Sequence, residues 1–209
     1  MTKQNLIDLI RELLSGGDAP AEIRGKYHPR VVEKYLEMAY DDVISIAADE
    51  GAKAKDFSLL DEFATPYTET VLYDTDKELK YCSLPVLVMP LPGNAAIRSV
   101  SPPKDPSTQF VNISMTSQPI WKELEADYVD PKPGYWLEGE RMYFDDMFPY
   151  GLTQVMMKIV SSFGDLGKND RVAVPAGKNT MIFQRVFELM QQKKQNPEDY
   201  YGDNNNKQV

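Results

Sequence analysis

Carboxylates recur in adjacent pairs along this chain, at Asp41-Asp42, Asp61-Glu62 and Asp145-Asp146. Acids of this kind could converge on Mg²⁺ and support metal-dependent hydrolysis, which needs several oxygen ligands and commonly a basic group beside them. A denser group lies in "PGYWLEGERMYFDD", residues 133–146, where three aromatics, a tryptophan and four carboxylates surround one central glycine. Glu138 and Glu140 there could work as general acid and base if burial raised the pKa of one of them. His28 in "KYHPR" and Cys82 in "KYCSLP" complete the side chains with chemistry to offer.

None of these stands at a spacing that a reaction requires. The acidic pairs follow no metal-ligand pattern, and solvated faces account for them. His28 precedes Pro29 at the start of a helical pattern, and no Gly-x-Ser-x-Gly elbow accompanies it. "PLPGNAA" lacks the lysine and the glycine spacing of a phosphate loop, and Ser15-Gly16-Gly17 reads as a helix stop. One cysteine and one histidine rule out an internal disulfide framework and a multi-cysteine zinc site. Cys82 reads as a small buried hydrophobe, and Met156, Met157 and Met181 as core filling.

The hairpin in the dense segment follows from its glycine. Glu138-Gly139 as a two-residue turn sets Leu137 opposite Glu140, Trp136 opposite Arg141 and Tyr135 opposite Met142. Tyr135, Leu137, Met142 and Phe144 then form a core face. The Arg141 guanidinium lies on the Trp136 indole on the other face. Glu138 and Glu140 are left at an exposed tip, where a general acid lacks the burial it needs. The expectation is a structural hairpin, with no catalytic residue, no cofactor and no metal.

The elements around these residues change character along the chain. "TKQNLIDLIRELLSGG" is an amphipathic helix capped by Thr2 and stopped near Gly16, and "DAPAEIRG" repeats that grammar with Asp18, Pro20 and Gly25. Pro29 opens the clearest helix, whose stripe runs Val32, Tyr35, Leu36, Ala39, Tyr40, Val43, Ile44 and Ala47 and ends near Gly51. "TETVLYDTDKELKYCSLPVLVMPLP" reads as strand, polar turn at Asp74–Lys77, strand and proline exit. "AIRSVSPP", "QFVNISM" and "LTQVMMKIV" are further strands, and "SQPIWKELEADY" makes one or two helical turns. Helix returns through Ile182, Phe183, Val186, Phe187, Leu189 and Met190, with Lys193 and Lys194 in the last turn. The expected fold class is α+β: N-terminal helices over 1–51, a compact antiparallel β domain over 52–176, a C-terminal helix over 177–194 and a polar tail over 195–209, ordered only by a partner.

Composition narrows the class further. The chain has 209 residues, a formal net charge of −9 and 42% hydrophobic residues, as a folded protein with an acidic surface would. Such a surface repels phosphate backbones, so sequence-specific nucleic-acid binding is not expected, although a wall past which DNA slides would suit it. Neither a signal-peptide pattern nor a run of about 20 apolar residues is present, and synthesis in a cytoplasm without membrane anchoring is expected.

Several phrases in order resemble one family, the head-to-tail connector (adaptor or ring) proteins of tailed bacteriophages, nearest to those of crAss-like phages of Bacteroidetes hosts. "VLYDTDKELKYCSLPVLVMPLPGNAAIRSVSP" resembles that family's hairpin, leucine-proline exit and following strand. "YWLEGERMYF" resembles its aromatic hairpin, "DRVAVPAGKNTMIFQRVFELM" the approach to its C-terminal helix, and "NPEDYYGDNNN" its acidic, asparagine-rich end. The resemblance runs from about residue 30 to the C-terminus. It implies a non-enzymatic virion protein that forms a closed homo-oligomeric ring, commonly of twelve subunits, beneath the portal in the phage neck. Its partners would be the portal protein and neighbouring tail or ring proteins, and DNA would pass through without sequence-specific binding. Phe183, Phe187, Met190, Tyr200 and Tyr201 are the residues expected at the partner interface. A tail or baseplate adaptor, and more remotely a metal-dependent hydrolase built on the acidic pairs, are the alternatives.

Overall fold

The computed structural model describes residues 1–14, 28–113, 132–175 and 178–195, with side chains to residue 191. The expected stops and caps at Gly16, Asp18, Pro20 and Gly25, the turns over 117–128 and the tail from residue 196 lie outside them. The fold is α+β, with helices near both termini and two sheets between them.

Helix α1, Lys3–Leu14, starts where Thr2 Oγ1 accepts the Asn5 N–H at 3.3 Å, and it buries Leu6, Ile7 and Ile10. Helix α2, Pro29–Ala54, places Pro29 in its first turn, and the His28 ring caps it by accepting the Arg30 N–H at 3.3 Å. An imidazole is a poor acceptor for this position, whereas a carboxylate would also favour the positive end of the helix dipole. His28→Asp should therefore stabilise the protein by about 0.5–1 kcal/mol in urea unfolding, and a loss of stability would contradict the cap. The helix runs one turn past Gly51 and ends at Lys55, in left-handed conformation at φ 55°. Gly51 is needed for close approach rather than as a stop, because a Cβ there would lie 2.8 Å from the Asp56 carbonyl and from the Phe57 ring. A single turn, α3 (Ser58–Asp61), leads into the sheets.

The stretch expected to be one strand before the polar turn is shared between two sheets. Strand β1, Thr65–Thr70, pairs antiparallel with β8, Gln154–Ile159, and β4, Ile97–Ser101, flanks β8 on its other side. At Val71, whose N–H donates to the Thr153 carbonyl at 2.9 Å, the chain passes into the second sheet. There β2 (Leu72–Asp74), β3 (Leu79–Ser83), β7 (Arg141–Phe144), β6 (Gly134–Glu138) and β5 (Val111–Asn112) lie in that order. All pairs are antiparallel except β5–β6, which is parallel, with Val111 opposite Gly134 and Asn112 opposite Tyr135. Gly134 admits that neighbour: a Cβ on it would lie 1.8 Å from Ile113 Cδ1 and 2.6 Å from Asp145 Oδ2.

Two cores result. Alternate residues of β8, namely Val155, Met157 and Ile159, pack with Ile97, Val100, Cys82, Tyr135, Met142 and Phe144 between the sheets. The second core joins α1, α2 and the last helix α4, Asn179–Gln195, which buries Ile182 and Val186, to Val160 and Phe163 beyond β8. Tyr40 sits within it, 5.9 Å from the Phe63 ring and 5.6 Å from Phe163, and its hydroxyl donates to the Ala173 carbonyl at 2.8 Å. The helical termini and the loops leaving the β region therefore share one apolar interior.

Candidate functional site

The acids that could have gathered round a metal are dispersed, and most hold the fold together. Asp41 accepts the Ser162 hydroxyl at 2.5 Å and the Phe163 N–H at 3.0 Å, tying α2 to the end of β8. Its neighbour Asp42 takes Arg185 of α4 at 2.8 and 3.0 Å. Asp61 pairs with Arg98 at 2.6 Å. Asp145 accepts the Gly134 N–H at 2.7 Å and the Met147 N–H at 3.1 Å, closing the far end of the β6–β7 ladder. No three His, Cys, Asp or Glu side chains are grouped as metal ligands among the described residues. Cys82 is fully buried, and burial, with Glu69 nearby, pushes its thiol up to about 12, which keeps it from being a nucleophilic thiolate. No helix among the described residues is long and apolar enough to cross a membrane.

The hairpin differs from its expected register by two residues. Glu138 pairs with Arg141, Leu137 with Met142, Trp136 with Tyr143 and Tyr135 with Phe144, so the turn is Gly139-Glu140 and not Glu138-Gly139. Gly139 has φ +61° and Glu140 has no positive φ, the signature of a type II′ turn with glycine in its first central position. The expected Trp136–Arg141 contact is replaced: the buried Trp136 indole stacks on Tyr143 at 6.0 Å and 17°. The Arg141 guanidinium lies 4.6 Å over Tyr81 instead and reaches Asp74 at 3.2 Å. Lys77 stands 4.5 Å over the Tyr143 ring and pairs with Glu138. Burial would raise the Asp74 carboxyl, but the Tyr143 hydroxyl, the Lys77 and Asp76 N–H groups and Arg141 outweigh it and hold its pKa below the ordinary value. The outer sheet face is thus a brace of paired charges on aromatic rings, and Glu140 alone of the two tip acids is left exposed without an ion pair among the described residues.

Helix α4 carries the expected interface residues that fall within the described part of the chain. Phe183 and Met190 are half-buried against the helical core, and Phe187 is 39% exposed. Tyr200 and Tyr201 lie outside the described residues. Met181, expected as core filling beside Met156 and Met157, is 43% exposed while Met157 is buried between the sheets. Met181 lines a cleft of about 120 Å³ with Ile46, Leu59 and Phe63, and Glu50, Glu62 and Lys178 stand on its rim. Sequence reasoning missed this cleft. The available signal was that Ile46, seven residues after Ala39 and three after Val43, sits at the edge of the apolar stripe of α2, which makes that stripe wider than the residues listed for it.

No protein-family model matches this chain, and no curated protein matches it.

Proposed function

We propose that the chain is a structural subunit of a tailed bacteriophage neck, one of several copies in a ring that joins the portal to the tail and surrounds the DNA path. The supporting observation is how the polar chemistry is used. Asp41, Asp42, Asp61, Asp74 and Asp145 are each committed to a contact between elements, His28 caps a helix, and Cys82 is buried. Large apolar side chains are left exposed as well, among them Ile46, Leu59, Met181 and Phe187 on helices and Leu72, Tyr73 and Tyr150 in the β region, as a subunit that assembles would leave them. The ordered phrases that resemble phage connectors supply the kind of assembly. A net charge of −9 suits a channel wall that must not hold the duplex it passes.

On this reading the subunit catalyses nothing, and its polar C-terminal segment serves attachment to the portal. Removing residues 196–209 leaves α4 whole, so the truncated chain should melt at an unchanged temperature. Its recovery in gradient-purified particles, measured against portal subunits, should fall by tenfold or more relative to the full-length chain. Equal recovery would remove the attachment role, and absence of the full-length chain from the particles would remove the neck assignment itself.

A further inference from the structure

The chain carries 32 acidic residues against 23 lysines and arginines, yet one exposed face holds no carboxylate among the described residues. It is the outer face of the β1–β8–β4 sheet, opposite the core that Val155, Met157 and Ile159 fill. The pleat turns Pro66, Thr68 and Thr70 of β1 and Gln154 and Lys158 of β8 outward, all exposed, with Met156 and Ser99 half-buried on the same face. Glu69, the one acid in these three strands, pairs with Val155 on the core side. At Gln154 the face runs into an open groove of about 540 Å³ between the loops leaving β4 and entering β8, where Lys104, Thr108 and Tyr150 stand. Asp105, the one carboxylate lining that groove, is occupied by the Ser107 and Thr108 hydroxyls. We propose that this face and the groove at its end line the DNA path, against the phosphate backbone of the duplex. The inference rests on the ring reading and names the surface that each subunit turns to the channel.

Charge complementarity selects the occupant. Duplex DNA presents one negative charge per roughly 1.7 Å of its axis, so a wall that touches it must keep carboxylates out of contact. Other exposed surfaces do not meet that condition. The end of α2 presents Asp49 and Glu50, and the hairpin tips of the second sheet present Asp76, Glu78, Glu138 and Glu140. On the sheet face the cations are the free ones: Lys104 and Lys158 are exposed, and neither is in an ion pair among the described residues. Threonine, serine, glutamine and tyrosine side chains donate to phosphate oxygens without reading bases, which is the contact a passing duplex of any sequence can use. A protein partner is less well served, because the exposed side chains of β1 and β8 include none of the large apolar anchors on which such contacts depend. The grip is also weak. Each lysine–phosphate contact adds only about one to the salt slope, and the carboxylates elsewhere oppose any wider hold.

Photo-crosslinking in intact particles tests the surface. A p-benzoylphenylalanine placed at Thr70 or at Gln154, both exposed, should leave the melting temperature of the chain unchanged. On irradiation it should join the chain to DNA at a yield at least about tenfold above that from the same group at Glu140. Lys104→Glu with Lys158→Glu puts carboxylates on the face; recovery of the chain in particles should stay the same while the DNA yield from Gln154 falls by about tenfold. A yield at Glu140 equal to that at Thr70 and Gln154, or protein in place of DNA as the product from those two, would overturn the surface and leave the ring reading standing. A yield indifferent to the two glutamates would overturn it as well. Particles that lack the chain altogether would remove the ring reading, and this inference with it.

Discussion

Phe144→Ala should lower the unfolding free energy by about 3–5 kcal/mol, a large part of the roughly 5–15 kcal/mol that holds an ordinary domain together. Phe144 is fully buried on β7, with Phe148 4.7 Å and Phe110 6.0 Å from its ring centre. It faces the interior shared with Val155 and Met157 of the other sheet, so truncation opens a cavity that two pleated walls cannot close. Urea unfolding should show a lower midpoint with an unchanged slope, and Phe144→Leu should lose well under half as much. A loss below about 1 kcal/mol would mean that the two sheets do not depend on this ring.

The second large effect is expected at Lys3. Its ammonium is almost wholly buried, donates to the Leu166 carbonyl at 2.9 Å, pairs with Glu33 at 3.1 Å and stands 4.9 Å over the Phe163 ring. The segment it holds also bonds the chain's start through its backbone: Lys3 N–H donates to the Asp170 carbonyl, Gln4 N–H to Lys168, and Val172 N–H to Met1. Lys3→Ala strands the Leu166 carbonyl and leaves Glu33 without its cation, and should cost about 2–4 kcal/mol. Glu33→Gln should cost less, since that carboxylate is 32% exposed and water can replace its partner. Lys3→Met keeps the apolar stem, so it separates the buried charge from the packing. Wild-type stability in Lys3→Met would show that the ammonium contributes nothing.

Much of this fold could be read from residue pattern, for reasons visible at particular positions. The α2 stripe Val32, Leu36, Ala39, Tyr40, Val43, Ile44 and Ala47 is buried because a 3.6-residue repeat has only one way to meet a core. The expected and observed hairpins differ in register yet agree on the face turned to the core between the sheets, while Trp136 and Tyr143 on the other face are buried as well. Glycine serves the second position of one two-residue turn and the first of another, and sequence alone does not choose between them. The two registers differ by two residues, which preserves the faces, so Tyr135, Met142 and Phe144 are buried and Leu137 is packed against the same core. What changed was the neighbour of Trp136, now Tyr143, and of Arg141, now Tyr81 and Asp74.

Other features were beyond local pattern. The sheet change at Val71 depends on where Thr153 lies, some eighty residues away in sequence. The parallel β5–β6 pair depends on the missing side chain of Gly134 as seen by Ile113. The acidic pairs looked alike in sequence, yet they do different work: Asp41 binds a loop, Asp42 binds a helix, and Asp145 closes a ladder. Each has a partner more than ten residues away, which adjacency could not reveal. The cleft at Ile46 also needs three elements at once, and only the isoleucine at the edge of the α2 stripe hints at it.

Reconstruction of the neck by electron microscopy of intact particles tests the central claim most directly. A closed ring of this chain should lie between the portal and the tail around the DNA channel, with the two-sheet core and α2–α4 pair fitting each subunit and the C-terminal segment touching the portal. A neck whose density is fully accounted for by other chains, with this one absent, would contradict it.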